Sequence, residues 1–252
     1  MDINILLVCI AGFLGALVDA IVGGGGLITI PALLATGMPS HLALGTNKFA
    51  SSMGTISSAY HYYKSGVINF KLLKFMLPLS LIGSAIGVYT VLQIDSSFLK
   101  PLIIVMVLII GTYTLIKKDI GLKNNFKGIN KKKILLGMLL AICLGFYDGF
   151  FGPGTGSFII FGLIGIFGFD FKHASANSKF MNFTSNFTAL ILFLINGQIW
   201  FLYGIPMAIS MVIGAKVGAT LAVKKGAGFI KPVFVIVSFA LVLKMLLEMF
   251  GG

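Results

Sequence analysis

The sequence contains no arginine and a single glutamate, and only 10% of its 252 residues carry charge. Soluble domains hold about a quarter charged residues. A chain this poor in charge cannot cover itself with polar surface, which excludes an ordinary water-soluble domain. Cysteine is nearly missing as well. Cys9 and Cys143 both lie in apolar stretches with no Cys or His at metal-ligand spacing, so they are expected to be buried helix residues, with neither a disulfide nor a metal site. There is no Ser-His-Asp order, no H-E-x-x-H, no Cys-x-x-Cys and no nucleotide-binding Gly-Lys-Ser loop. The net charge of +12 would suggest nucleic acid in a soluble chain. Here the lysines cluster in short loops between apolar runs, which is a topology signal, and no nucleic-acid partner is expected.

What is abundant is hydrocarbon. Apolar residues make up 58% of the chain, with 32 glycines and 23 phenylalanines, and the mean hydropathy is +1.03. Lipid must be the solvent. The composition predicts an all-α polytopic membrane protein with about eight to ten membrane helices. The opening MDINILLVCI lacks a basic leader and a small-residue cleavage site, so it reads as the first membrane helix.

The chain repeats itself. Gly15 to Gly26 carries Asp19 and the run Gly23, Gly24, Gly25, Gly26; His41 to Phe49 follows with Thr46, Asn47 and Lys48. The second copy runs from Leu144 to Gly156, with Asp148, Gly152, Gly154, Thr155 and Gly156; His173 to Phe180 follows with Asn177, Ser178 and Lys179. The Asp-to-Lys interval is 29 residues in the first copy and 31 in the second, and Gly83 and Gly87 match Gly214 and Gly218. A lysine-rich stretch, Lys117 to Lys133, separates the copies. The expected organisation is a first membrane repeat over 1–122, a basic linker over 123–130 and a second repeat over 131–252.

Each half divides into five apolar segments: 3–20, 25–37, 42–63, 70–92 and 97–117, then 132–149, 154–168, 173–195, 199–223 and 229–250. If all five cross, the lysine-bearing loops fall on one side and the lysine-free loops 37–40, 93–97 and 196–198 on the other. The positive-inside rule then places the linker in the cytoplasm and both termini outside. An odd number of crossings inverts one half relative to the other, the plan of many secondary transporters. The second segment of each half is too short for an ordinary span and is expected to form a discontinuous helix at the glycine-rich break.

The breaks are candidate anion sites. Unwound backbone at membrane depth requires a protein-lined cavity, and the short helices that follow aim their N-terminal N–H groups at the joint. Close helix packing accounts for the same glycines. Lys48 and Lys179, with Thr46, Asn47, Asn177, Ser178 and Asn182, offer cations, amides and hydroxyls from symmetry-related places to a small oxyanion. Snorkelling to headgroups is the alternative for the lysines. Ser185 and Asn186 continue the polar line, and Ser51, Ser52 and Thr55 hold similar ground in the first half. Asp19 and Asp148 can cap the loop, neutralise a lysine or take up a proton. His41 and His173 read as interface histidines, and Tyr60, His61, Tyr62, Tyr63 and Trp200 as an interfacial aromatic belt.

The run from Gly15 to Leu33 followed by A-L-G-T-N-K (Ala43 to Lys48) resembles the first-half signature of the sulfite exporter family, the TauE/SafE permeases. G-F-Y-D-G-F-F-G-P-G-T-G-S-F (Gly145 to Phe158) with A-N-S-K-F-M-N-F (Ala176 to Phe183) resembles the second-half signature. The resemblance covers nearly the whole chain. It implies a permease of the cytoplasmic membrane for sulfite, sulfonates or related organosulfur anions, with about eight helices, and Asn177 stands where the family often has threonine. The expectation is therefore a secondary transporter of small anions working by alternating access, without a cofactor. Its partners would be the anion, membrane lipid, a proton or another coupling ion, and a second copy if it forms a homo-oligomer. The alternatives are an anion channel, a scaffold, or an intramembrane enzyme built on the two aspartates.

Overall fold

The computed structural model describes residues 3–99, 101, 105 and 123–225. Most of the fifth segment of the first half, all of that of the second, the start of the polar linker and Lys244 lie outside the described residues. Every regular element among the described residues is a helix: α1 (Ile3–Val22), α2 (Gly26–Ala35), α3 (Ser40–Lys64), α4 (Phe70–Leu92), α5 (Lys131–Phe150), α6 (Thr155–Phe167), α7 (Phe171–Ile195) and α8 (Phe201–Lys225). These match eight of the ten expected segments within a few residues. Side-chain caps fix three starts: Asn69 accepts from the Leu72 N–H at 3.1 Å, Asn130 from Lys133 at 2.8 Å and Asp170 from His173 at 2.8 Å. α1, α4, α5 and α8 are long and apolar enough to cross a membrane.

Both short helices turn back. α2 returns along α1, so that Gly15 faces Gly25 and Thr29, and α6 returns along α5, with Gly162 against Leu140 and Gly137 against Phe167. The long apolar helices then pair across the halves, α1 with α8 and α4 with α5. The matched glycines are the reason for the close approach. Gly214 and Gly218 lie on the backbone of Phe13 and Leu17, and Gly83 and Gly87 lie on that of α5 around Phe146. α3 and α8 run in one direction, Phe49 beside Phe201 and Gly54 beside Met211. α7 joins α8 through a short loop, so α7 runs opposite to α3.

The outer surface is hydrocarbon. Leu135 and Leu139 on α5, Ile82 and Ile86 on α4, and Ile205 and Ile209 on α8 are all exposed. The polar residues sit inside instead, on α3 and α7, where Lys48, Ser52, Thr55, Lys179, Asn182, Ser185 and Asn186 are buried. That arrangement suits lipid outside and a polar interior, as the composition required.

Two expectations need correction. Tyr62 is not part of the aromatic belt: it is fully buried and donates its hydroxyl to the Ala20 carbonyl at 2.9 Å, while Tyr60 and Tyr63 are exposed. Helical rotation of 100° per residue turns one tyrosine of the three inward. Cys143 is exposed on α5 rather than buried.

Candidate functional site

α1 ends in a buried place, where the last carbonyls of a helix run out of helical partners; that of Asp19 still accepts from the Gly23 N–H at 2.9 Å. Each of them is met by a side chain from another helix. Lys179 on α7 donates to the Asp19 carbonyl, Tyr62 on α3 to Ala20, Ser175 on α7 to Ile21 at 3.3 Å and Ser157 on α6 to Val22 at 3.0 Å. The positive end of Lys179 also suits the negative end of the helix dipole. The second break is held differently, by the Tyr147 hydroxyl on the Pro153 carbonyl at 2.5 Å.

The two breaks lie directly against each other in opposite directions. Gly23 touches Gly156 and Ser157, and a Cβ on Gly26 would stand 3.0 Å from the Pro153 Cα. Gly23 and Gly154 both have positive φ, +79° and +81°, a conformation open to glycine at no steric cost.

Two buried ion pairs flank this crossing, and each joins the halves. Lys48 Nζ on α3 lies 2.9 Å from Asp148 Oδ1 on α5 and donates to Asn186 Oδ1 on α7 at 3.0 Å. Lys179 Nζ on α7 lies 2.8 Å from Asp19 Oδ2 on α1, whose Oδ1 accepts from the Gly25 N–H at 3.4 Å. Lys48 is 1% exposed and Lys179 fully buried, so neither reaches headgroups. Among the described residues, Asp148 Oδ2 is a buried side-chain oxygen without a partner.

A small cavity of about 30 Å³ opens beside the crossing. Its floor is the backbone of Gly24, Gly25, Gly26, Gly152 and Gly156; its walls carry Asp19, Asp148, Asn47, Lys48, Ser51, Thr55, Asn182 and Asn186, with Ala16, Gly54, Met211 and Ala215 closing the apolar side. The two lysines and two carboxylates of the flanking pairs sum to a formal charge of zero.

A family model described as sulfite exporter TauE/SafE matches residues 8–245 of this sequence. The chain belongs to that family. Membership places it among membrane transporters rather than enzymes. It is similar to a protein of Haemophilus influenzae named "Probable membrane transporter protein", 40% identical over 98% of this chain and 96% of that one. It is also similar to the Escherichia coli K12 protein of that description called YfcA, 34% identical over 96% of this chain and 88% of the relative. A third, YunE of Bacillus subtilis, is 28% identical over 87% of each. No solved structure matches the chain significantly.

Within this TauE/SafE member the expected site residues divide into two groups. Asp19, Gly24, Gly25, Gly26, Asn47, Lys48, Asp148, Gly152, Gly156 and Asn182 line the cavity. The others serve the frame around it. Thr46 accepts from the Trp200 N–H at 2.9 Å. Asn177 accepts from the Asn69 N–H at 2.9 Å and donates to the His173 carbonyl at 2.8 Å. Ser178 bonds the Ser175 carbonyl at 2.8 Å and Thr155 the Gly152 carbonyl at 2.7 Å. Gly23 and Gly154 form the crossing, and Lys179 holds α1. Ser51, Thr55 and Asn186, read from the sequence as part of the polar line, line the cavity as well. Their signal was the helical spacing: 47, 48, 51 and 55 share one face of α3, as do 182 and 186 on α7.

Proposed function

We propose that this TauE/SafE member is a secondary carrier of small oxyanions, with sulfite, sulfonates and related organosulfur anions as the substrate class. The two halves, 1–122 and 131–252, form an inverted repeat, and rocking of one half on the other gives alternating access. The opposed directions of α3 and α7 and the crossed pairing of α1 with α8 and α4 with α5 support that plan. The lysine-free and lysine-rich loops support a place in the cytoplasmic membrane with the basic linker, 123–130, inside.

The observation that carries the reading is Lys48, a fully buried ammonium that faces a polar cavity lined by the first turn of α2. An oxyanion entering there accepts from Lys48 and from the amide nitrogens of Asn47 and Asn182, and is drawn by the positive end of α2. The cavity, about 30 Å³, holds roughly two water-sized occupants and must widen to admit a larger anion. A channel would share the site but pass its ion without saturation.

Uptake of labelled sulfite and of a small alkylsulfonate into proteoliposomes tests this. Saturable uptake, with labelled anion exchanging against unlabelled anion on the far side, is the expected result. Flux that rises linearly with concentration and shows no exchange would replace the carrier with a channel. Absence of flux for every oxyanion tried would remove the substrate class.

A further inference from the structure

The two ion pairs look equivalent in sequence and differ in what they hold. Lys179 spends its donors on Asp19, both on the carboxylate and on the main-chain carbonyl, and lies outside the cavity. Lys48 bonds side chains only, Asp148 Oδ1 and Asn186 Oδ1, and lines the cavity. Asp148 itself is 2% exposed, lines the same cavity, and keeps Oδ2 without a donor. A bare carboxylate oxygen in a buried place is costly unless something comes to meet it.

From this we infer that the anion crosses with one proton, carried on Oδ2 of Asp148. The inference rests on the carrier reading. The two pairs together are neutral when ionised, with Lys179 behind Asp19, so an anion alone would leave the site net negative in a medium of low dielectric. Protonation forms an O–H bond at Oδ2, with the proton drawn from water on the open side. The Lys48 ammonium is then freed from its counter-charge, and the two pairs together become positive by one. The arriving anion restores neutrality. On the other side the anion leaves, and Asp148 returns its proton to water there.

The groups around Asp148 permit this. Lys48 faces it from α3, Asp19 shares the cavity from α1, and Tyr147 precedes it with its hydroxyl committed to Pro153. α7 brings Asn182 and Asn186 to the cavity and Lys179 to Asp19. α6 has no ionisable residue, and α4 meets this level with Ser80 and Ser84, whose hydroxyls bond the Met181 and Ser185 carbonyls of α7. Asp19 is less suited to the task, since both of its carboxylate oxygens have donors.

The test is the pH dependence of anion affinity in the purified full chain, with methanesulfonate as probe because it stays ionised throughout the working range. Where binding takes up its proton, affinity should rise about tenfold per unit fall in pH, the slope for one linked proton. Asp148→Asn, a fixed mimic of the protonated acid, should bind with no such slope, and Asp19→Asn should keep it. A flat wild type, or an unchanged slope in Asp148→Asn, overturns the inference and leaves the carrier standing. Failure of the wild type to bind at any pH removes the carrier reading and this inference together. If Asp148→Asn does not fold, an indicator dye in weakly buffered wild-type protein decides, because one proton should be taken up per anion bound and none would refute the link.

Discussion

The double variant Lys48→Gln/Asp148→Asn should fold and bind its anion roughly 10- to 100-fold more weakly than wild type, the worth of one charged hydrogen bond. Both members of the pair are changed because removing one partner of a buried ion pair strands the other, at a cost of about 3–5 kcal/mol. The matching change at the second pair should behave otherwise. Lys179→Gln alone should lower thermal stability sharply, since it leaves Asp19 uncompensated and takes the charged donor from the Asp19 carbonyl at the end of α1. Adding Asp19→Asn should recover much of that loss, and the resulting double variant should still bind the anion. Melting curves together with equilibrium binding on wild type and the three variants would check this. Equal losses of binding at the two pairs would mean that Lys179 contacts the substrate directly.

Gly23→Ala should prevent accumulation of folded protein. A methyl group there would enter the backbone of Gly156 and Ser157, at a φ of +79° that side chains rarely adopt. Backbone strain of this kind costs about 1–3 kcal/mol, and neither crossing strand can yield without separating the two breaks. Gly37 supplies the control. Its φ is +82°, yet a Cβ there would meet nothing within 4 Å, so Gly37→Ala should show only the conformational penalty and remain foldable. Size-exclusion profiles of the two variants in mild detergent would separate collision from strain. A monodisperse, stable Gly23→Ala protein would mean that the breaks are not locked together.

Much of this molecule could be read before its structure. Apolar runs cut by glycine, proline and lysine marked the helices, because lipid leaves the backbone few other options. The repeated Asp, Gly and Lys positions pointed to the region where the cavity lies. Which lysine meets which aspartate could not be read, since the pairs join residues 100 and 160 positions apart and depend on how the breaks cross. Neighbours of the lysines misled for a different reason. Asn177 and Ser178 adjoin Lys179 in sequence, but each step along α7 turns the side chain by about 100°, so they face α4 and their own helix rather than the cavity. Counting by three and four from Lys48 reaches Ser51 and Thr55, and Asn182 leads to Asn186 in the same way, which is why the sequence already placed them on the polar line. The unequal work of the two lysines was hidden as well, because it lies in main-chain carbonyls that carry no sequence signal.

The most direct measurement is to locate a bound oxyanion by anomalous scattering, using crystals grown with selenite, a heavier analogue of sulfite. The expected result is a selenium peak where the two glycine breaks meet, within hydrogen-bonding reach of Lys48 Nζ. A peak elsewhere, or none at a concentration that saturates transport, would contradict the site.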